Sequence, residues 1–176
     1  MQRTPRNTQA ESSAASDEYN RQQAGKIQDS LNLQAKGRQY STSELLADKA
    51  SEELENGSFA TIYLSPKDYH RIHMPCDGTL VAMKYIPGDL FSVNQKTVRH
   101  VEKVFARNER LVCIFKTEFG EIAFVLVGAI FVGSMQTSWH GQITPPYGKK
   151  IINFNYKDKE VRLSKGDELG RFNMGS

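Results

Sequence analysis

The hydrophobic rhythm of the chain changes near residue 57. Before it, Leu45, Leu46, Ala50 and Leu54 recur at helical spacing behind Ser41-Thr42-Ser43-Glu44, a capping-box signature, and Asn56-Gly57 stops the pattern. One helix is predicted there. After it the apolar residues gather in short runs rich in Val, Ile, Phe and Tyr, bounded by Gly, Pro or Asn: 61–64, 79–86, 111–117, 121–132, 151–156 and 161–163. These predict strands. Thr117-Glu118-Phe119-Gly120-Glu121 predicts a hairpin with Gly120 free to take positive φ, and 93–105 predicts a second short helix with imperfect apolar spacing. The expected fold class is mainly β (α+β): a mixed or antiparallel sheet core with few short helices, in a single domain.

The first 24 residues carry no such rhythm. Ser, Gln, Asn, Ala and charge dominate there, with Tyr19 the only aromatic, so too little apolar surface is available to offset ordering entropy. Residues 1–24 are read as a disordered or unrelated tail and 25–176 as the folded domain. Charge changes this picture little: 23 Lys plus Arg against 20 Asp plus Glu, without a block of like charge, implies no nucleic-acid partner and leaves an anionic membrane surface compatible. The longest apolar run, Ile122 to Val132, is too short to cross a bilayer as a helix, and Gly128 interrupts it. Cys76 and Cys113, far apart and without companions, read as buried or idle thiols in a reducing compartment.

Candidate chemistry concentrates in Tyr69-His70-Arg71-Ile72-His73-Met74-Pro75 and in the terminal Gly175-Ser176. Imidazoles exchange protons near neutral pH and are the commonest general acids and bases. Strand alternation would put His70 and His73 on opposite faces, whereas a turn at Ser65-Pro66-Lys67-Asp68 would bring them together. The bland reading, one exposed histidine and one hydrogen-bonded in the core, has even standing. A zinc site from His70, His73, Cys76 and Asp77 is a minor alternative, because no second ligand pair stands at suitable spacing, and no metal is assigned. A serine behind glycine is ordinary in loops, yet beside a base its hydroxyl can attack the unhindered glycyl carbonyl. Phe105-Ala106-Arg107-Asn108-Glu109-Arg110 reads as a solvated turn or a structural charge network; Trp139-His140-Gly141 and Thr144-Pro145-Pro146 read as a rim. Residues 165–172 suggest a tight hairpin presenting the chain end.

Residues 63–76, from Tyr63-Leu64-Ser65-Pro66 to Met74-Pro75-Cys76, and Phe105-Ala106-Arg107-Asn108-Glu109-Arg110, with Pro87-Gly88-Asp89-Leu90-Phe91-Ser92-Val93-Asn94, Val127-Gly128-Ala129, Val132-Gly133-Ser134 and Gly170-Arg171-Phe172-Asn173-Met174-Gly175-Ser176, resemble the phosphatidylserine decarboxylase proenzyme family of bacterial and mitochondrial type. Gly25-Lys26-Ile27 and Leu33-Gln34-Ala35-Lys36-Gly37 extend the resemblance forward, so that it spans about residues 25–176.

The resemblance implies a zymogen that cuts itself. Ser176 would attack the carbonyl of Gly175, turning amide into ester; elimination and hydrolysis would leave a pyruvoyl group, derived from Ser176, on a new small subunit. That carbonyl serves as an electron sink when a substrate amine loses carbon dioxide, the role pyridoxal phosphate plays elsewhere. His73 falls on the processing base and His70 on its partner in decarboxylation, and no diffusible cofactor is required. The implied reaction converts phosphatidylserine to phosphatidylethanolamine at a peripheral membrane site, on the cytoplasmic face of the bacterial inner membrane or on the mitochondrial inner membrane. Homo-oligomerisation is left open.

Three departures qualify the resemblance. Met174 stands where the family usually has Leu, a volume-conserving exchange. The sequence ends at Ser176, so the expectation is a large-subunit portion incomplete without the small subunit, inactive alone and with apolar surface left uncovered. The family's acidic partner lies in a Pro-Ala-Asp-Gly-like segment, but here that region reads Ser16-Asp17-Glu18-Tyr19 and the role is not transferred. The competing expectation is a non-catalytic β-rich relic acting as a lipid-binding or protein-interaction module.

Overall fold

A computed structural model describes residues 22–27, 31–35, 38–48, 52–156 and 159–173. In chain order the strands are β1 (Gln22–Lys26), β2 (Leu31–Ala35), β3 (Arg38–Ser41), β4 (Ser58–Ile62), β5 (Arg71–His73), β6 (Gly78–Ile86), β7 (Arg110–Thr117), β8 (Gly120–Val127), β9 (Ser134–Thr137), β10 (Gly141–Gln142), β11 (Ile152–Phe154), β12 (Arg162–Leu163) and β13 (Glu168–Asn173). The helices are α1 (Thr42–Leu46), α2 (Glu52–Glu55), α3 (Gln95–His100) and α4 (Val104–Arg107), none longer than two turns.

Two antiparallel sheets carry the molecule. The larger runs β11-β6-β7-β8, with β12 also on β6; the smaller runs β10-β9-β13-β5. The ribbons β1-β4 and β2-β3 complete the pairing, so the expected mainly β architecture with short helices is what forms. β7 lies at the centre because it is apolar on both faces. Leu111, Cys113 and Phe115 point into the main core with Met83, Tyr85, Leu126, Met135 and Leu169, which joins the two sheets; Val112 turns to the other side, with Ile86 and Leu46 of α1. Removing a buried side chain such as Leu111 would cost roughly 2–5 kcal/mol. Both cysteines are free and buried, and burial pushes the Cys113 thiol well above its ordinary value.

Local expectations meet the structure unevenly. The capping box forms in full: Ser41 Oγ accepts from Glu44 N at 3.0 Å, and Ser41 N donates to the Glu44 carboxylate at 3.3 Å. The single helix expected behind it is broken, however. Ala47 takes a left-handed conformation (φ 49°) so that Leu46 and Leu54, on separate short helices, can both reach the outer face of the large sheet. Lys103 (φ 53°) likewise divides the second predicted helix into α3 and α4. Gly120 has the positive φ (102°) expected of the β7–β8 hairpin, but the long run 121–132 ends as a strand at Val127 and turns over at residues 128–133.

The segment Asn108-Glu109-Arg110 is buried rather than solvated. Arg110 Nε donates to Leu45 O at 2.7 Å, Nη2 to Glu44 O at 2.8 Å, and Nη1 to Ala106 O at 2.7 Å and Asn108 O at 3.2 Å. One cation thereby satisfies the carbonyl ends of α1 and α4, which these short helices leave without internal partners. Asn108 Nδ2 bonds Phe91 O and Gly128 O, both at 2.8 Å, tying the segment before α3 to the end of β8. Glu109 accepts from Tyr85 Oη at 3.1 Å, while its Oε1 has no hydrogen-bond partner among the described residues.

Burial pushes the Glu109 carboxyl from 4.5 up to about 7, against the opposing pull of the Tyr85 hydrogen bond; burial, then the neighbouring Glu109 charge, pushes Tyr85 up to about 12. Between these Glu109 limits the folded chain holds a proton that the unfolded chain has released. The group's contribution is therefore full below pH 4.5 and is lost as pH rises through about 7. Glu109→Gln should flatten the fall in stability over that window and raise stability near pH 8 by up to roughly 3 kcal/mol, read from urea unfolding at a series of pH values. A variant whose unfolding midpoint keeps the parent's pH dependence would remove Glu109 as its source.

Candidate active site

The histidines sit where the small sheet meets a turn. Ser65 N bonds Asp68 Oδ2 at 2.7 Å and Asp68 N bonds Ser65 O at 2.8 Å, closing the turn predicted at 65–68 and delivering His70 to the start of β5. β5 then pairs antiparallel with β13, Glu168 opposite His73 and Arg171 opposite Arg71, with a bulge between Glu168 and Gly170. A Cβ on Gly170 would lie 2.5 Å from Gln136 O of β9, so only glycine allows the backbones to close there. Arg71 pairs with Glu168 across the two strands, and Arg171 stands 3.8 Å from the same carboxylate; pairs this exposed add little stability.

The turn forms, yet the two imidazoles keep separate partners. His70 Nδ1 donates to Asp68 O at 2.6 Å, and His73 Nδ1 donates to Gly166 O at 2.8 Å. A carbonyl oxygen only accepts, so in the neutral state both rings carry their proton on Nδ1 and leave Nε2 as the basic nitrogen. The consequence differs at each. His73 is exposed, stacked at 5.8 Å on Tyr69, whose hydroxyl donates to Nε2 at 2.8 Å. His70 is half-buried, and its Nε2 is enclosed without a hydrogen-bond partner among the described residues.

β13 is the link to the other predicted centre. Phe172 N bonds His70 O at 3.0 Å, and on its far side β13 pairs with β9, Asn173 opposite Ser134. Asn173 Nδ2 reaches Gln136 Oε1 at 3.2 Å and Ser134 Oγ at 3.4 Å; Ser134 Oγ in turn donates to Thr144 O at 2.9 Å. Met174, Gly175 and Ser176 lie outside the described residues, as does Asp17. The last described residues of β13 lie on the His70 side, while His73 faces Glu168 further back.

Other predicted residues fall elsewhere. Cys76 is buried, and Asp77 accepts from Lys165 N at 2.7 Å. Among the described residues no three His, Cys, Asp or Glu side chains gather as a metal site. Trp139 packs on Phe115 in the core, and His140 bonds Tyr156 at 2.6 Å. The 165–172 segment does make a turn, with Gly166 at φ 90°, but its second arm pairs with β5 and β9. Sequence reasoning gave no role to Tyr69, Asn173 or the Gly166 carbonyl. Tyr69 shares the strand face of His73 by alternation, a signal available in the sequence; the other two depend on cross-strand register.

The fold and site define an antiparallel β protein in which a histidine-bearing edge strand, β5, pairs with β13, the last strand described. The chain belongs to the phosphatidylserine decarboxylase family, whose model matches residues 3–176. It is 58% identical over 159 residues to the phosphatidylserine decarboxylase proenzyme of Vibrio parahaemolyticus, and 57% over 156 residues to that of Methylobacillus flagellatus; each match covers 88% of this chain and 56% of the relative. The relative of the same name from Dechloromonas aromatica is 55% identical over 156 residues, covering 88% and 55%. The chain thus spans a little over half the length of the curated relatives it matches.

At alkaline pH, long-range proton–nitrogen NMR should show His70 and His73 as Nδ1–H tautomers, the reverse of the form free imidazoles prefer. Tyr69→Phe should alter the Nε2 signal of His73 alone; Nε2–H tautomers in the parent would contradict the hydrogen-bond assignment.

Proposed function

We propose that the complete protein is a pyruvoyl-dependent phosphatidylserine decarboxylase, made active by cleavage of its own chain between Gly175 and Ser176. Supporting this are the names of its relatives, all proenzymes of that reaction, and one geometric observation: the strand leading to Gly175-Ser176 is hydrogen-bonded directly to His70. The non-catalytic reading has no observation behind it.

The residues present fit a pyruvoyl group at position 176. A serine supplies its precursor, a glycine precedes it without steric bulk, and His70 offers an enclosed imidazole nitrogen without a hydrogen-bond partner among the described residues. Once formed, the group would supply a carbonyl into which the electrons freed by loss of carbon dioxide can delocalise.

The chain's own residues do the rest. In processing, His73 is the proposed base: Gly166 O holds its proton on Nδ1, so Nε2 can take the proton from Ser176 Oγ once the Tyr69 hydroxyl gives way. In decarboxylation, His70 is the proposed proton carrier. Its Nδ1–H is held by Asp68 O, and its enclosed Nε2 can bear a proton toward the carbon that has lost the carboxylate. Phosphatidylserine as substrate, a small subunit cut from the same precursor, and a membrane surface as the place of reaction belong to this same proposal. No helix among the described residues is long and apolar enough to cross a membrane.

In a precursor of the relatives' full length, intact-mass measurement should show a cut between Gly175 and Ser176 with a pyruvoyl end on the smaller piece. His73→Ala should slow that cut by about 10²-fold or more, and His70→Ala should still cut but release carbon dioxide from phosphatidylserine about 10²-fold more slowly. An uncut parent precursor would defeat the whole proposal; equal loss of both steps in both variants would merge the two roles.

A further inference from the structure

The outer face of the small sheet holds two guanidinium groups at one cross-strand position. β5 and β13 are antiparallel with Arg71 directly opposite Arg171, and like charges so placed repel each other. Alternation turns Ile72 and Phe172 toward the core and leaves both arginines on the face that also carries Tyr69 and His73. The backbone cannot relieve the repulsion. Gly170 is closed against Gln136 O, and the bulge between Glu168 and Gly170 brings the Glu168 carboxylate to the arginines, where it bonds Arg71 and stands 3.8 Å from Arg171.

One carboxylate thus answers two cations. Arg71 takes the closer contact, and Arg171 keeps an enclosed Nε that has no hydrogen-bond partner among the described residues. The acidic side chains of the adjoining turns, Asp68 and Asp167, accept from the backbone N–H groups of Ser65 and Ser164. Gln136, opposite Arg171 on β9, has its amide oxygen engaged by Asn173 Nδ2 at 3.2 Å, so the amide nitrogen is the end it offers to a ligand. Donors of this kind on a fixed strand pair are complementary to an oxyanion. A phosphate, with more acceptor oxygens than the carboxylate already present, can bridge both guanidinium groups.

We propose that Arg71 and Arg171 form a subsite for the phosphodiester of a phospholipid headgroup, with Glu168 as the internal anion that the phosphodiester displaces. The inference rests on, and deepens, the reading of the complete protein as one that acts on phosphatidylserine. Arg71 directly follows His70, and in that substrate only a methylene and an ester oxygen separate the reacting carbon from phosphorus.

Dimethyl phosphate, a phosphodiester without an amine, can be titrated into the full-length protein while the arginine Nε–H signals are followed by NMR. Those of Arg71 and Arg171 should shift saturably, and sodium acetate at equal concentration should not reproduce the shift. Glu168→Gln removes the competing anion and should tighten the binding by about fivefold, a gain that a purely structural carboxylate would not give. In turnover of detergent-dispersed phosphatidylserine, Arg71→Gln and Arg171→Gln should each raise KM by about tenfold, with kcat and self-cleavage within about twofold of the parent. Arg171→Lys, which keeps the charge and lacks the Nε donor, should fall between. The titration requires neither catalysis nor an arginine variant that folds, so the subsite can fail while the decarboxylase reading stands, and the reverse. The proposal is overturned by an unshifted parent, as when a carboxylate from the rest of the full-length protein already holds Arg171, or by weaker or unchanged binding in Glu168→Gln. Inorganic phosphate saturating both arginines while KM is unmoved in both glutamine variants would equally overturn it, by making this a site for free phosphate.

Discussion

Everything at the candidate site depends on β13 being paired on both edges. Six residues, Glu168 to Asn173, hydrogen-bond to β5 on one side and to β9 on the other, joining parts of the chain almost a hundred positions apart. Leu169 is fully buried in the main core, so the strand is held by packing as well as by its backbone ladder. The close approach at Gly170 allows the doubly paired arrangement, and the bulge beside it offsets Glu168 from the regular register. Without this strand, β5 with its histidine and β9 would share no backbone ladder.

Behind the sheets, a second set of constraints comes from buried polar groups. Arg110 is surrounded by carbonyl oxygens, and its charge is stabilised by dipoles; burial pulls its ionisation downward from the ordinary guanidinium value. Asn108 and Glu109 anchor the turn after β8 in the same way. Helices of four to six residues cannot satisfy their own ends, and the Arg110 side chain does so for the carbonyl ends of α1 and α4.

Much of this was legible beforehand, and the failures share a cause. Residues 79–86 and 111–117 are strands almost as read, and Ser41 caps its helix through the predicted box, because these features depend on neighbours within a few positions. β5 and β9 went unread, and β13 was read only as one arm of a hairpin over 165–172: they are short, polar at alternate places and held through partners distant in sequence. The solvated-turn alternative for residues 105–110 failed similarly, since composition cannot say that a guanidinium will find backbone carbonyls on another helix.

The sequence by itself determined the chemistry available: two imidazoles three residues apart, a glycine before a serine, a turn to deliver the first histidine, and motifs sufficient to place the family. Tertiary structure decided how that chemistry is arranged. Which nitrogen of each histidine holds the proton, that Tyr69 occupies one ring while the other is left enclosed, and that His70 rather than His73 lies at the departing end of β13 all follow from carbonyl positions and strand register. Those depend on contacts between segments far apart in the chain, and a pattern of residue types carries no record of register until the core has closed around it.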